Sequence, residues 1–195
     1  VMEIVRSGVL GEIRHLNATF RFTLTNPASI RLQPELGGGA LYDVGCYLVN
    51  FTGMIADAIA GGGPASGGQP EAMEVECIRE HGVDVTFYAL LRYRSGLMAT
   101  LSCAFTAHSR STTEIGGSKG GLEIPYTFLD VEGPLVLTTV EGRREIPVPA
   151  SDRYRSELED FGAAVFERRA PQFSLIESVR NAEVIDRLLA ASRAK

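Results

Sequence analysis

From Glu71 to Val148 the chain keeps a period of two, and this limits its fold more than any other feature. Val83, Val85, Phe87, Ala89, Leu91 and Tyr93 alternate with Asp84, Thr86, Tyr88, Leu90, Arg92 and Arg94. Such alternation belongs to a strand with one covered and one open face. "RSG" at Arg94–Gly96 is a tight turn into "LMATLSCAFTA", where Leu97, Ala99, Leu101, Cys103 and Phe105 share a face. Further strands are expected in "STTEIGG", "GLEIPYTF", "PLVLTTV" and "RREIPVP", each bounded by Gly or Pro. Strands that follow strands at this spacing pair as antiparallel hairpins and meanders. A parallel nucleotide-binding sheet needs a helix between each pair of strands, and no such helical pattern intervenes.

The flanks supply the helices. "VMEIVRSGVLGE" reads as the last turns of a helix closed by Gly8, with Gly11 leading into a long strand from Glu12 to about Thr25. "NPASIRLQP" is a loop. Leu41, Val44, Leu48, Phe51 and Ile55 then recur at helical steps. Gly61 to Pro70 is a Gly/Pro/Ser connector without a phosphate-binding fingerprint. Ser151 or Asp152 caps a helix whose apolar residues are Leu158, Phe161 and Val165. Past Pro171, a last helix carries Leu175, Val179, Ala182, Ile185 and Leu189. The expected fold class is α+β: a large open-faced, mainly antiparallel β-sheet with helices packed on one face, in a single domain spanning residues 1–195.

Composition narrows the function classes. The chain is 45% hydrophobic and 22% charged, the balance of an ordinary globular protein. Its net charge of −5 and its lack of a basic stripe argue against nucleic acid. No apolar run approaches the ~20 residues of a membrane span, and no export signal opens the sequence. Cys46, Cys77 and Cys103 are far apart and odd in number, which fits reduced thiols in the cytoplasm better than a disulfide framework. They share no ligand spacing with His15, His81 or His108, so no metal is expected.

The chemistry-bearing stretch is "GGGALYDVGCYLVN", Gly37 to Asn50. Asp43 and Tyr47 are four residues apart on a helix and face one way, with Cys46 and Asn50 nearby. Gly45 between them leaves the backbone open to a close neighbour. Asp43 can orient a hydroxyl, and Tyr47 can pass a proton to or from an oxygen if a cation lowers its pKa from about 10. A solvated carboxylate beside a core aromatic with a wet tip is the plainer reading of the spacing alone.

The stretch "PELGGGALYDVGCYLVNFTGMI" resembles the GG-x-L-x-D-x-G-x-[HY] signature of the glucose–fructose oxidoreductase, inositol dehydrogenase and rhizopine-catabolism family. "SGVLGEIRHLNATF", "GVDVTFYALLRYRSGLMATLSCAF", "EIGGSKGGLEI" and "NAEVIDRLLAAS" resemble other segments of that family, in the same order. The resemblance implies NAD(P)-dependent oxidoreduction of sugars, polyols or related diols. It also implies that the family's N-terminal Rossmann domain, with its glycine fingerprint and Glu-Lys-Pro lysine, is absent, because neither Lys119 nor Lys195 precedes a proline. This chain is then the C-terminal, substrate-side domain of a longer protein, inactive alone.

Carried over by position, the resemblance makes Asp43 the contact to the substrate hydroxyl and Tyr47 the proton donor or acceptor. Tyrosine in place of the commoner histidine weakens an inositol assignment. Gly38, Gly39 and Arg31 are candidate contacts to NAD or NADP, with the glycines letting the segment lie against the nicotinamide domain. Arg31, Asn50 and His108 are candidate substrate contacts, and Gln33 a lesser one. Arg14, His15 and Arg21 are expected on a solvent or interface face. Tyr88, Leu90 and Met98 alternate onto the open sheet face, which suits a homodimer or tetramer. The alternative is a non-catalytic binding or oligomerisation module, or a redox-inactive relative that acts as a scaffold.

Overall fold

The computed structural model describes residues 1–63 and 66–193. Pro64 and Ala65, inside the expected connector, and Lys195 lie outside the described residues. Helix α1 (Met2–Arg6) ends at Gly8, whose positive φ of 77° permits the turn toward β1 (Ile13–Thr23). Two 3₁₀ turns, Ile30–Leu32 and Pro34–Leu36, occupy the expected loop. A wide π-helical turn, Leu41–Gly45, runs into α2 (Cys46–Ile59). Strands β2 (Ala72–Glu80), β3 (Val83–Arg92), β4 (Met98–Ala104), β5 (Thr106–Gly117), β6 (Gly120–Ile124), β7 (Gly133–Thr139) and β8 (Gly142–Val148) follow, then α3 (Arg153–Glu167) and α4 (Leu175–Arg193).

The strands form one sheet in the order β2-β3-β4-β1-β5-β6-β7-β8. Every pairing is antiparallel except that of β1 with β4. β1 is inserted between β4 and β5, so the run "LMATLSCAFTA" is two strands rather than one. Phe105 carries the chain across the end of β1: its N–H donates to the Val85 carbonyl and its own carbonyl accepts from Leu24 N–H, both at 2.8 Å.

One face of the sheet is covered. Leu16, Phe87, Leu91, Leu101, Ile115 and Leu122 meet Leu48 and Ile55 of α2 and Val184, Ile185 and Leu188 of α4. The opposite face is open, and Ile78, Tyr88 and Leu90 are exposed on it.

Three details depart from the expected patterning. Asp84, placed by alternation on the open row, is buried; β2 slips register between Ile78 and Arg79 beside it, and its carboxylate turns to a helix terminus. The covered stripe of α4 is Val184, Ile185, Leu188 and Leu189, while Leu175, Val179 and Ala182 are exposed. Buried Arg180 sets this rotation by pairing with Asp57 of α2, whose other oxygen accepts from Gly67 and Gly68 N–H at 2.8 and 2.7 Å. Helix α3 buries no residue at all, and Leu158 is 72% and Phe161 66% exposed.

Candidate functional site

The site begins where three glycines and an alanine, Gly37–Ala40, lead into the π turn. None of these residues has a side chain able to cap the exposed N–H groups of a helix start. Asp84 of β3 does so from across the fold: its Oδ2 accepts from Leu41 N–H at 2.7 Å. The glycines allow this approach. A Cβ on Gly39 would lie 2.5 Å from Asp84 Oδ1, and its φ is 126°. A Cβ on Gly38 would lie 2.6 Å from the Arg31 carbonyl oxygen. Each glycine is therefore already filled by its own chain. The N–H groups of Gly38 and Gly39 donate to the Gln33 and Arg31 carbonyls at 3.0 Å each, so neither is free to cradle a phosphate.

Gly45 has a similar explanation. Its neighbours are Leu41 and Cys103, 2.8 and 2.9 Å from a built Cβ, so it admits the sheet and not a ligand.

Asp43 and Tyr47 both reach the surface. Arg31 Nε donates to Asp43 Oδ2 at 2.7 Å, with the two side chains 42% and 26% exposed. The structure thus joins two of the residues singled out from sequence. With Ile30, Gly37, Gly38 and Tyr42 they line a shallow cleft of about 210 Å³. Tyr47, 46% exposed, opens onto a different, larger cleft of about 430 Å³, with Tyr126, Phe128, Asp130 and Arg153. In the chain by itself Asp43 lines the first depression and Tyr47 the second, with Asp43 still close enough to act electrostatically on the phenol. The Tyr47 ring lies 5.9 Å from both Phe20 and Phe128, centroid to centroid.

The floor under Tyr47 was hidden from sequence reasoning. "GLEIPYTF" reads as one strand, yet β6 ends at Ile124 and the chain turns at Pro125, the residue that could have signalled it. Thr127 Oγ1 donates to Thr113 Oγ1 at 2.9 Å and Phe128 N–H to Ser111 Oγ at 3.0 Å, which pins this aromatic turn to β5. Arg153, at the start of α3, donates from Nη1 to the Phe128 carbonyl at 2.8 Å and pairs with Asp130 at 3.1 Å.

Electrostatics favour the protonated phenol. Partial burial raises the Tyr47 pKa above its ordinary 10.0; the neighbouring Cys46 thiol and Asp43 add to the rise, and Arg153 opposes it. Burial likewise raises the Cys46 thiol, which donates weakly to the Asp43 carbonyl at 3.8 Å. Asn50 is half-buried three residues beyond Tyr47. His108 is exposed on β5 and lines neither cleft; its carbonyl accepts from Arg21 Nε at 3.3 Å. Arg14 is tied to Glu12 at 2.7 Å. Among the described residues, no three His, Cys, Asp or Glu side chains gather as a metal site, and no helix is long and apolar enough to cross a membrane.

Residues 1–123 match the family description "GFO/IDH/MocA C-terminal domain". A dTDP-3,4-didehydro-2,6-dideoxy-alpha-D-glucose 3-reductase from Saccharopolyspora spinosa is 29% identical over 164 residues, covering 83% of this chain and 47% of the relative. A trans-1,2-dihydrobenzene-1,2-diol dehydrogenase from Xenopus laevis is 29% identical over 149 residues, covering 75% and 42% respectively. The chain spans about half the length of these curated relatives. The crystal structure of an aldose-aldose oxidoreductase from Caulobacter crescentus complexed with glycerol superposes with a TM-score of 0.84 at 22% identity, over 99% of this chain and 57% of that one. At that identity the likeness concerns the fold. The family match over residues 1–123, together with these relatives, makes the chain a member of the GFO/IDH/MocA family, corresponding to its C-terminal domain.

Proposed function

We propose that this chain is the substrate-side domain of a nicotinamide-dependent oxidoreductase acting on a sugar, polyol or related diol, working with an N-terminal Rossmann domain. The observation that carries the reading is the pair Asp43 and Tyr47, both solvent-accessible, at the signature helix of a family whose matched members are named as reductases and dehydrogenases.

The chain's own part is proton management and orientation. Asp43, held by Arg31, accepts a hydrogen bond from a substrate hydroxyl next to the reacting carbon. Tyr47 carries its proton at neutral pH, since the ordinary phenol value of 10.0 already lies well above it and partial burial raises it further. In the reductive direction its O–H donates that proton to the carbonyl oxygen as the carbon accepts hydride, giving the alcohol and a phenolate. NAD or NADP, when bound, supplies or accepts the hydride. In the oxidative direction Tyr47 must first lose its proton, and Arg153 alone does not lower the pKa enough. A cation from the partner domain completes the site for that direction.

Arg31 and Asn50 are further substrate contacts in this reading, and the backbone at Gly38 and Gly39 faces the nicotinamide domain. The aromatic floor of Phe128 and Tyr126 suits the apolar face of a ring-shaped substrate. Exposed Ile78, Tyr88 and Leu90 support pairing of the open sheet with a second copy, and three free cysteines fit a reducing, cytoplasmic setting.

Tyr47→Phe in the full-length protein tests the assignment. Loss of general acid–base catalysis lowers kcat by roughly 10²–10⁴-fold in carbonyl reduction, followed by the absorbance of the reduced nicotinamide. Near-normal turnover rejects the proton-transfer role.

A further inference from the structure

We propose that Asp84 is a positioning residue for this site, acting as a remote cap that fixes the helix start from which Asp43 projects. The inference rests on the oxidoreductase reading of Asp43 and Tyr47. Its basis is a closed circuit of contacts. Asp84 is 2% exposed, lies on β3, and accepts from Leu41 N–H at 2.7 Å, with the Ala40 N–H also directed to it. Gly39, against which Asp84 Oδ1 packs, donates its N–H to the Arg31 carbonyl at 3.0 Å. The Gly39 carbonyl accepts from Asp43 N–H at 3.0 Å. Arg31 closes the circuit by donating to Asp43 Oδ2 at 2.7 Å.

Asp43 is thus held at its backbone and at its carboxylate, and both holds pass through Gly39. The π turn beginning at Leu41 is wider than an α turn and makes poorer internal contacts, so its geometry depends on an external anchor. Asp84 is a suitable anchor because its strand is paired on both sides, by β2 and β4, with its charge at the positive end of a helix. Arg79 of β2 lies opposite it in register, and the Cys103 thiol is its neighbour on β4. No side chain from residues 37–40 can substitute, since these are three glycines and an alanine.

The test uses the full-length protein. Asp84→Ala removes both acceptor oxygens and leaves Leu41 N–H without its cap. We expect kcat to fall by about 10–100-fold, the scale of an approximately ångström-sized misplacement of a reacting group. Deuterium exchange should accelerate in the peptide covering residues 39–47 and stay unaltered in the remaining strands. A double-mutant cycle separates positioning from general stability: Arg31→Ala should cost less in the Asp84→Ala background than alone, because the circuit is already open. Unchanged exchange over residues 39–47, unchanged kcat, or strictly additive effects of the two substitutions would each overturn the proposal. Absent turnover in the unsubstituted protein strikes the oxidoreductase reading instead; exchange over residues 39–47 then decides, acceleration upholding the cap and its absence refuting it.

Discussion

Gly45→Ala sets two opposed effects of known size against each other at the centre of the signature helix. Removing a glycine from a helix interior gains up to ~1 kcal/mol of propensity. The added methyl, however, would sit 2.8 Å from Leu41 Cδ1 and 2.9 Å from Cys103 Sγ. Optimal non-bonded separations are about 3.5–4.0 Å, so both neighbours would have to retreat by roughly 0.6–1.2 Å. Neither has room to do so: Leu41 and Cys103 are each 2% exposed. Overpacking of this kind costs about 1–3 kcal/mol, which outweighs the propensity gain and leaves the variant less stable by about 1 kcal/mol. For a protein of this size that lowers Tm by about 2–4 °C. Thermal unfolding followed by circular dichroism reads the change directly. Cys103→Ala supplies the control, since removing the sulfur frees the space that the methyl needs. The pair should be less destabilised than the sum of its parts, by about 1 kcal/mol. A rise in Tm for Gly45→Ala, or additivity with Cys103→Ala, would refute the claim that the sheet, and not an approaching ligand, requires glycine here.

Two other perturbations probe the frame around the site. Asp57→Ala strands the buried Arg180 guanidinium and removes the acceptor of Gly67 and Gly68 N–H; the expected loss is about 3–5 kcal/mol in urea denaturation, largely recovered when Arg180 is also made Met. Asp160 of α3 has its pKa lowered from the ordinary 3.8 by the Gln172 N–H and by Arg169. A depressed folded-state pKa means that its contribution is complete above pH 3.8 and is lost as pH falls through the lower folded value. Gln172 amide exchange, corrected for its intrinsic pH dependence, should rise across that acid window, and Asp160→Asn should abolish the pH step; a step that persists in the variant would assign it to another group.

Sequence carried the local order of this fold and lost its long-range closures. Alternation in β3 is a short-range signal, and Phe87, Ala89 and Leu91 are buried as their period requires. The insertion of β1 between β4 and β5 is not local. Ala18 meets Leu101 on one side and Thr113 on the other, more than eighty residues away, and no pattern within either strand encodes that choice. The site divides the same way. Asp43 and Tyr47 were legible because a four-residue step on a helix is a local signal, and both side chains do reach the surface, each lining a different depression. Arg31 was legible as a polar loop residue, but its ion pair with Asp43 depends on two 3₁₀ turns folding the loop back. Asp84 was invisible as a cap because its helix begins 43 residues earlier.

Helix α3 marks the limit of such reasoning. Leu158, Phe161 and Val165 recur as a core-facing stripe should, yet they are 72%, 66% and 58% exposed. Amphipathic spacing states that a helix face needs cover; it carries no information about which surface provides it. Within the described residues nothing does, although the start of the helix is fastened, Arg153 being tied to Asp130 and the Phe128 carbonyl; Asp160, at mid-helix, holds only Arg169 and Gln172 of the segment that follows. A helix held at its start with its apolar stripe outward takes its orientation from that anchor and not from burial. The same anchor at Arg153 also builds the wall of the Tyr47 cleft. The helix that carries the exposed stripe and the cleft that Tyr47 opens onto therefore share one anchor, Arg153.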